Sequence, residues 1–200
     1  IAFVEQDTSS PPEVYAGIKG NSGGIVRVSN ANAEMAKMSV GKTEAIKWKS
    51  KDGREIEGLL TYPKNYAAGT KVPMIVNIHG GPAGVFSQGY IGGRGVYPIA
   101  TFADRGYAIL RPNPRGSSGY GTEFRRAKTK DWGVGDYEGI MTGVDHVIAV
   151  GVADGKPAVS SVAELGRVLF TDYMFAFEVT SILIIAAMVG AVVIARKREE

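Results

Sequence analysis

Apolar and polar residues follow two different periods along this chain, and the change of period marks out its elements. Over residues 1–38 apolar positions alternate with polar ones (Ile1, Phe3; Val14, Tyr15; Ile25, Val26, Val28), interrupted by Ser9-Ser10-Pro11-Pro12 and by Gly20-Asn21-Ser22-Gly23-Gly24. This predicts short antiparallel strands joined by turns. Two further alternating runs, 45–49 and 56–62, bracket Lys51-Asp52-Gly53-Arg54 and predict a hairpin, because Asp-Gly suits a tight turn between strands. Residues 73–78 form a continuous apolar run containing Ile75, Val76 and Ile78, which predicts a central strand covered on both faces. Residues 98–105 read as a short helix stopped by Gly106, and residues 107–110 as the next buried strand. Over 132–150 the period lengthens: Ile140, Val144, Val147 and Ile148 fall at i, i+4, i+7 and i+8, the spacing of one helix face.

Residues 175–195 fit neither period. This stretch carries a single charge, Glu178, near one end, and is followed by Arg196-Lys197-Arg198. At a rise of about 1.5 Å per residue it spans about 30 Å, so it is a candidate transmembrane helix, with a buried core helix as the alternative. Ala186, Ala187, Gly190 and Ala191 give it a small-residue face for packing on neighbouring helices. If it inserts, the basic cluster places the C-terminus in the cytoplasm.

Composition narrows the chemistry. The 23 Lys and Arg against 20 Asp and Glu leave a net charge of +3, which does not point to a nucleic-acid partner. The absence of Cys excludes disulfides, thiolate metal sites and cysteine nucleophiles, and there are only two His. Neither a metal nor a cofactor is expected. The chain begins at Ile1 with no charged-then-apolar leader, which suggests a fragment or processed product.

Candidate chemistry centres on His79-Gly80-Gly81-Pro82, where the apolar run 73–78 stops abruptly. Loops at the carboxyl ends of strands are where open α/β sheets collect ligands, and two successive glycines let the backbone turn sharply. The plain alternative is a Gly-Gly-Pro turn closing a strand. Gly20-Asn21-Ser22-Gly23-Gly24 matches the Gly-x-Ser-x-Gly pattern of a nucleophile elbow, but without a buried strand before it or a helix after it; a hairpin turn is the reading adopted. His146 lies off the apolar stripe beside Asp145, as a solvated helix histidine would.

Taken together, Asp52-Gly53-Arg54, the strand into His79-Gly80-Gly81-Pro82, Tyr107-Ala108-Ile109, Asn113-Pro114-Arg115-Gly116-Ser117-Ser118-Gly119-Tyr120-Gly121, Trp132-Gly133 with Asp136, and Gly143-Val144-Asp145 resemble the start of the catalytic domain of the prolyl oligopeptidase family, in its acylaminoacyl-peptidase and dipeptidyl-aminopeptidase branch. The resemblance covers residues 1–154. It implies an α/β fold, an incomplete α/β-hydrolase domain (39–154) preceded by the last strands of a β-propeller (1–38). It also implies Gly81 as a backbone oxyanion donor, His79 as a loop residue rather than the triad base, and a peptide as the substrate of a complete parent. The elbow, acid and histidine that the family carries beyond Gly151-Val152-Ala153-Asp154 have no counterpart in the residues that follow.

Residues 159–198 instead resemble the C-terminal transmembrane segment of subunit J of bacterial NADH-quinone oxidoreductase, with Ala176 where that family usually has Pro. The boundaries implied are a linker at 155–161 and a membrane helix with a basic tail at 162–200. Membrane lipid along 175–195 and other complex I subunits are then the expected partners. Three readings follow: a serine-type peptidase fragment lacking its catalytic triad, a fragment of a membrane-complex subunit, and a chimera of the two.

Overall fold

The computed structural model describes residues 1–17, 24–81, 83–93, 95 and 97–156. Most of the hairpin turn predicted at residues 20–24, most of the predicted linker and the predicted membrane span lie outside the described residues. Among the described residues no helix is long and apolar enough to cross a membrane.

The N-terminal alternation gives β1 (Ala2–Glu5), β2 (Glu13–Ala16) and β3 (Val26–Arg27), an antiparallel sheet with Ala2 opposite Ala16 and Tyr15 opposite Arg27. A single-turn helix, α1 (Ala33–Ala36), follows. Most apolar side chains of this sheet stay in solvent; Val4 is 65% exposed and Val26 53%. Its fixed point is polar. The buried Glu13 carboxylate accepts from Arg27 Nη2 at 2.9 Å, Ala31 N at 3.0 Å, Asn32 N at 2.8 Å and the Ser29 hydroxyl.

The second sheet contains β4 (Thr43–Lys49), β5 (Glu55–Thr61), β6 (Met74–Val76) and β7 (Ala108–Asn113), in the spatial order β4-β5-β7-β6. β4 and β5 form the predicted hairpin: Ser50 N bonds Arg54 O at 2.9 Å, and Gly53 takes φ +81°, where a side chain would be strained. β6 and β7 run parallel, so the chain crosses over between them, through α2 (Ile99–Asp104). Two helices follow β7: α3 (Gly121–Arg126) and α4 (Gly135–Ala149).

The strand expected to be central is at the edge. β6 is three residues long and half-buried, Ile78 beyond it is 51% exposed, and the fully buried strand is β7, buried at all six positions. Among the described residues, Met74–Val76 pair with β7 on one side only. The other side is met at its start by an isolated parallel bridge between Val72 and Ala153, with Val72 N to Val152 O at 2.9 Å and Asp154 N to Val72 O at 3.0 Å. β-branched composition fits a flanked strand, but the flanking itself depends on segments distant in sequence.

Alternation along β7 divides the core into two layers. Ala108 and Leu110 join Trp48, Ile56, Leu60 and Val147 under α4, whereas Ile109 joins Ile91, Ile99 and Ala103 under α2. The helix predicted over 132–150 starts at Gly135, after a turn at Gly133 (φ +77°). Its predicted stripe is only partly the packed face: Val147 is fully buried, while Ile140, Val144 and Ile148 are half-buried. The closest approach runs along Gly135, Gly139 and Gly143, all buried. A Cβ at position 143 would stand 2.6 Å from the Trp48 indole, and Trp48 Nε1 donates to Gly139 O at 2.7 Å.

Candidate functional site

Because β6 and β7 are parallel neighbours, their carboxyl ends open side by side, and Asn77 N to Leu110 O at 2.9 Å carries the ladder one step past β6. Two glycine-rich loops therefore meet. In the first, Gly81 is exposed at φ +106°, a conformation left to glycine, and no acceptor among the described residues takes its N–H. In the second, Gly116 and Gly119 also have positive φ.

Side chains bind the loops to each other. His79 Nε2 lies 2.9 Å from Ser117 Oγ, and Ser117 Oγ lies 2.7 Å from Pro114 O. His79 Nδ1 also lies 3.1 Å from Gly80 O, so both ring nitrogens are engaged within the two loops. With Ser117 fully buried, this histidine positions a loop and activates no nucleophile. The Asn113 amide takes Phe86 N at 2.8 Å and gives to Phe86 O at 3.0 Å and Tyr120 Oη at 2.9 Å; Tyr120 in turn donates to Glu57 at 2.8 Å. Burial and the Glu57 bond push the Tyr120 phenol up to about 12, so it remains a donor across the physiological range.

Two charged residues of the second loop and its strand are also buried. Arg115 reaches Asp52 at 2.9 Å, Asp131 at 3.2 Å and Ser50 Oγ at 3.3 Å, so the Asp-Gly hairpin is fastened to the loop after β7. The Asp52 carboxyl is held below its usual range: burial works upward but is outweighed by the Arg54 amide and the Arg115 guanidinium. Arg111 lies over the Phe86 ring at 5.7 Å, with Nε and Nη2 unpartnered, and burial lowers its pKa.

Between the loops and the start of α4 lies a cleft of about 350 Å³, lined among others by Ile78, His79, Gly80, Gly81, Lys128, Trp132, Asp136 and Ile140. A larger hollow of about 470 Å³ sits at the other end of the sheet, around 39–42 and 62–68. Its charged groups are already paired, Lys42 with Glu44 at 2.6 Å and Lys64 with Asp104 at 3.2 Å, so the first cleft is the better site. Among the described residues no cluster of acidic side chains and histidines is built to hold a metal.

The structure brings together the predicted His79, Gly80 and Gly81. His146 is apart from them, in the last turn of α4. Sequence reading gave Asn113 and Ser117 only as members of a glycine-rich stretch, with no role of their own, and passed over Lys128. Polar Arg111 and Asn113 directly after an apolar strand run were the available signal for two buried polar residues; nothing local marks Lys128.

Residues 97–160 match the model of the prolyl oligopeptidase family, and residues 130–194 that of NADH-ubiquinone/plastoquinone oxidoreductase chain 6. The chain is 38% identical over 105 residues to the uncharacterized peptidase YuxL of Bacillus subtilis, covering 52% of this chain and 15% of that protein. It is 32% identical over 93 residues to a probable dipeptidyl-peptidase 5 of Aspergillus terreus, covering 46% of this chain and 12% of that one. The fold is similar to that of Pyrococcus horikoshii acylaminoacyl peptidase, with TM-score 0.63 and 26% identity, over 74% of this chain and 23% of the other. The chain thus spans less than a quarter of the length of these relatives. Family model, relatives and solved structures agree in supporting the prolyl oligopeptidase family of serine peptidases for the part of the chain they cover.

Proposed function

We propose that residues 39–154 are the first part of an α/β-hydrolase catalytic domain whose complete form cleaves peptides through an acyl-enzyme, and that residues 1–38 end a propeller before it. Gly81 N–H is one oxyanion donor. The observation carrying this reading is the open, unpartnered Gly81 amide at the carboxyl end of β6, beside a cleft of about 350 Å³. The relatives named as peptidases support the substrate class.

These 200 residues alone hydrolyse no peptide at a measurable rate. His79 is engaged with the buried Ser117, and His146, in the last turn of α4, has no described serine within hydrogen-bond distance, so none is both open to substrate and next to a base. Removal of the nucleophile in a comparable site costs about a million-fold in turnover. A fluorophosphonate probe is expected to label no serine; stoichiometric labelling of one serine, lost on His79→Ala or His146→Ala, would refute the inactivity.

The match of residues 130–194 to the oxidoreductase model favours a second reading, a chimera with a membrane tail, whose C-terminus the basic cluster at 196–198 would assign to the cytoplasm. That match overlaps α4, which the Trp48–Gly139 bond and Val147 tie into the second sheet, and this packing supports a junction after α4. Long-read sequencing of genomic DNA across codons 153–159 tests it: a discontinuity supports the chimera, and continuous coverage refutes an assembly error.

A further inference from the structure

The cleft has a cation that the peptidase reading does not use. Lys128 is 8% exposed, yet among the described residues its ammonium has neither a hydrogen bond nor an ion pair. Its stem crosses Gly116, where a Cβ would lie 2.3 Å from Lys128 Cδ and 2.8 Å from Nζ, so the glycine opens the path that brings the ammonium to the cleft. There it stands 4.5 Å from the centroid of the Trp132 ring. Burial first, and the Arg125 charge, lower the Lys128 pKa against the opposing charge of Asp136 on the same cleft; Asp136 makes no ion pair with it, and Asp131, the other nearby carboxylate, is taken by Arg115. With most of its stem buried, its ammonium against an aromatic face and no anion in contact among the described residues, this side chain is short of its strongest interaction.

We propose that Lys128 is the recognition point for a carboxylate, and that the cleft takes a small apolar or aromatic carboxylate or the C-terminal end of a peptide. Ile78, Ile140 and the edge of Trp132 receive the apolar part, and about 350 Å³ suits one side chain with its carboxylate. The assignment requires only the cleft and holds whether or not any bond is broken there.

The test is a titration of the full 200-residue chain followed by tryptophan fluorescence, since Trp132 is 62% exposed while Trp48 is buried. The probes are phenylacetate against phenylacetamide, and Ala-Ala-Phe against its C-terminal amide. Each acid is expected to bind about tenfold or more tightly than its amide, as a charge-assisted hydrogen bond gives. Lys128→Met should erase that difference and Lys128→Arg should keep part of it. Discrimination by the small pair alone assigns a free carboxylate; discrimination by the tripeptide pair assigns a peptide end. Equal binding of acid and amide, binding of neither, or discrimination unchanged in Lys128→Met overturns the proposal. If Lys128→Met does not fold, the acid-against-amide comparison on the unaltered chain decides.

Discussion

The two sheets are held by opposite means. β1–β3 leave Val4, Val14 and Val26 in solvent and converge on one buried carboxylate, whereas β4–β7 bury Trp48, Ile56, Leu60, Ile109 and Leu110 between helices. The first arrangement is directional: each bond to Glu13 fixes a donor from β3 or from the segment after it. The second is set by apolar area removed from water and is much less particular about angle. A small sheet with little to bury can thus still be specific, but its cohesion is exposed to anything that changes one ionisation state.

The contrast is broken most severely by Trp48→Ala. It empties the space under α4 and strands the Gly139 carbonyl, so the cost is about 3–5 kcal/mol, read from urea denaturation of the full chain. Next comes a pair of alanine substitutions on one helix. Gly143→Ala drives a methyl to 2.6 Å from the indole and should destabilise by about 1–3 kcal/mol, whereas Gly139→Ala meets Ile56 at 3.5 Å, an ordinary contact, and should be neutral or gain up to about 1 kcal/mol of helix propensity. Opposite signs four residues apart would show that packing, not helix propensity, governs α4.

A smaller effect, confined to the first sheet, is expected from acid. Hydrogen bonding by Ser29 first, then by the Asn32 and Ala31 amides and the Arg27 charge, lowers the Glu13 pKa below its ordinary 4.5 against the opposing influence of burial. A carboxyl depressed by folding contributes stability that is fully present above its unfolded value and is lost as pH falls through the folded one. The Ala31 and Asn32 amides should therefore lose hydrogen-exchange protection below pH 4.5 while Leu110 keeps its own, and Glu13→Gln should abolish the pH dependence. Smallest of all is Lys47→Ala. Its pair with Glu55 at 2.9 Å is more than half exposed on both sides, so the urea midpoint should not move measurably.

How much of this was legible depends on how local its cause is. The Asp52-Gly53 turn, the stop at Gly106 and the strand predicted over 107–110 follow from turn chemistry and short-range pattern; the first two stand in the structure, and the strand is there at Ala108–Asn113. That β6 is half-buried rather than covered on both faces was not legible, because its surroundings are set by β7, which enters beside it from about thirty residues later across a parallel crossover. The glycine face of α4 was hidden for a related reason. Glycine lowers helix propensity and adds nothing to an apolar stripe, and only the Trp48 indole, far off in sequence, explains it. At the site, the His79 loop was readable as a glycine turn after a strand, but its partner Ser117 was not, nor was the Lys128 stem laid across Gly116.

The Trp48–Gly139 bond joins residues 91 positions apart, and this separation bears on the order of events during synthesis. A ribosome releases the β4–β5 hairpin long before the helix that covers it. Until α4 emerges, Trp48 and Ile56 have no lid, and the sheet cannot complete a cooperative unit from local contacts alone. Translation pauses or chaperone contacts would therefore matter most in the interval between these two segments, when the nascent chain carries a hairpin whose apolar face is finished in sequence but not yet enclosed.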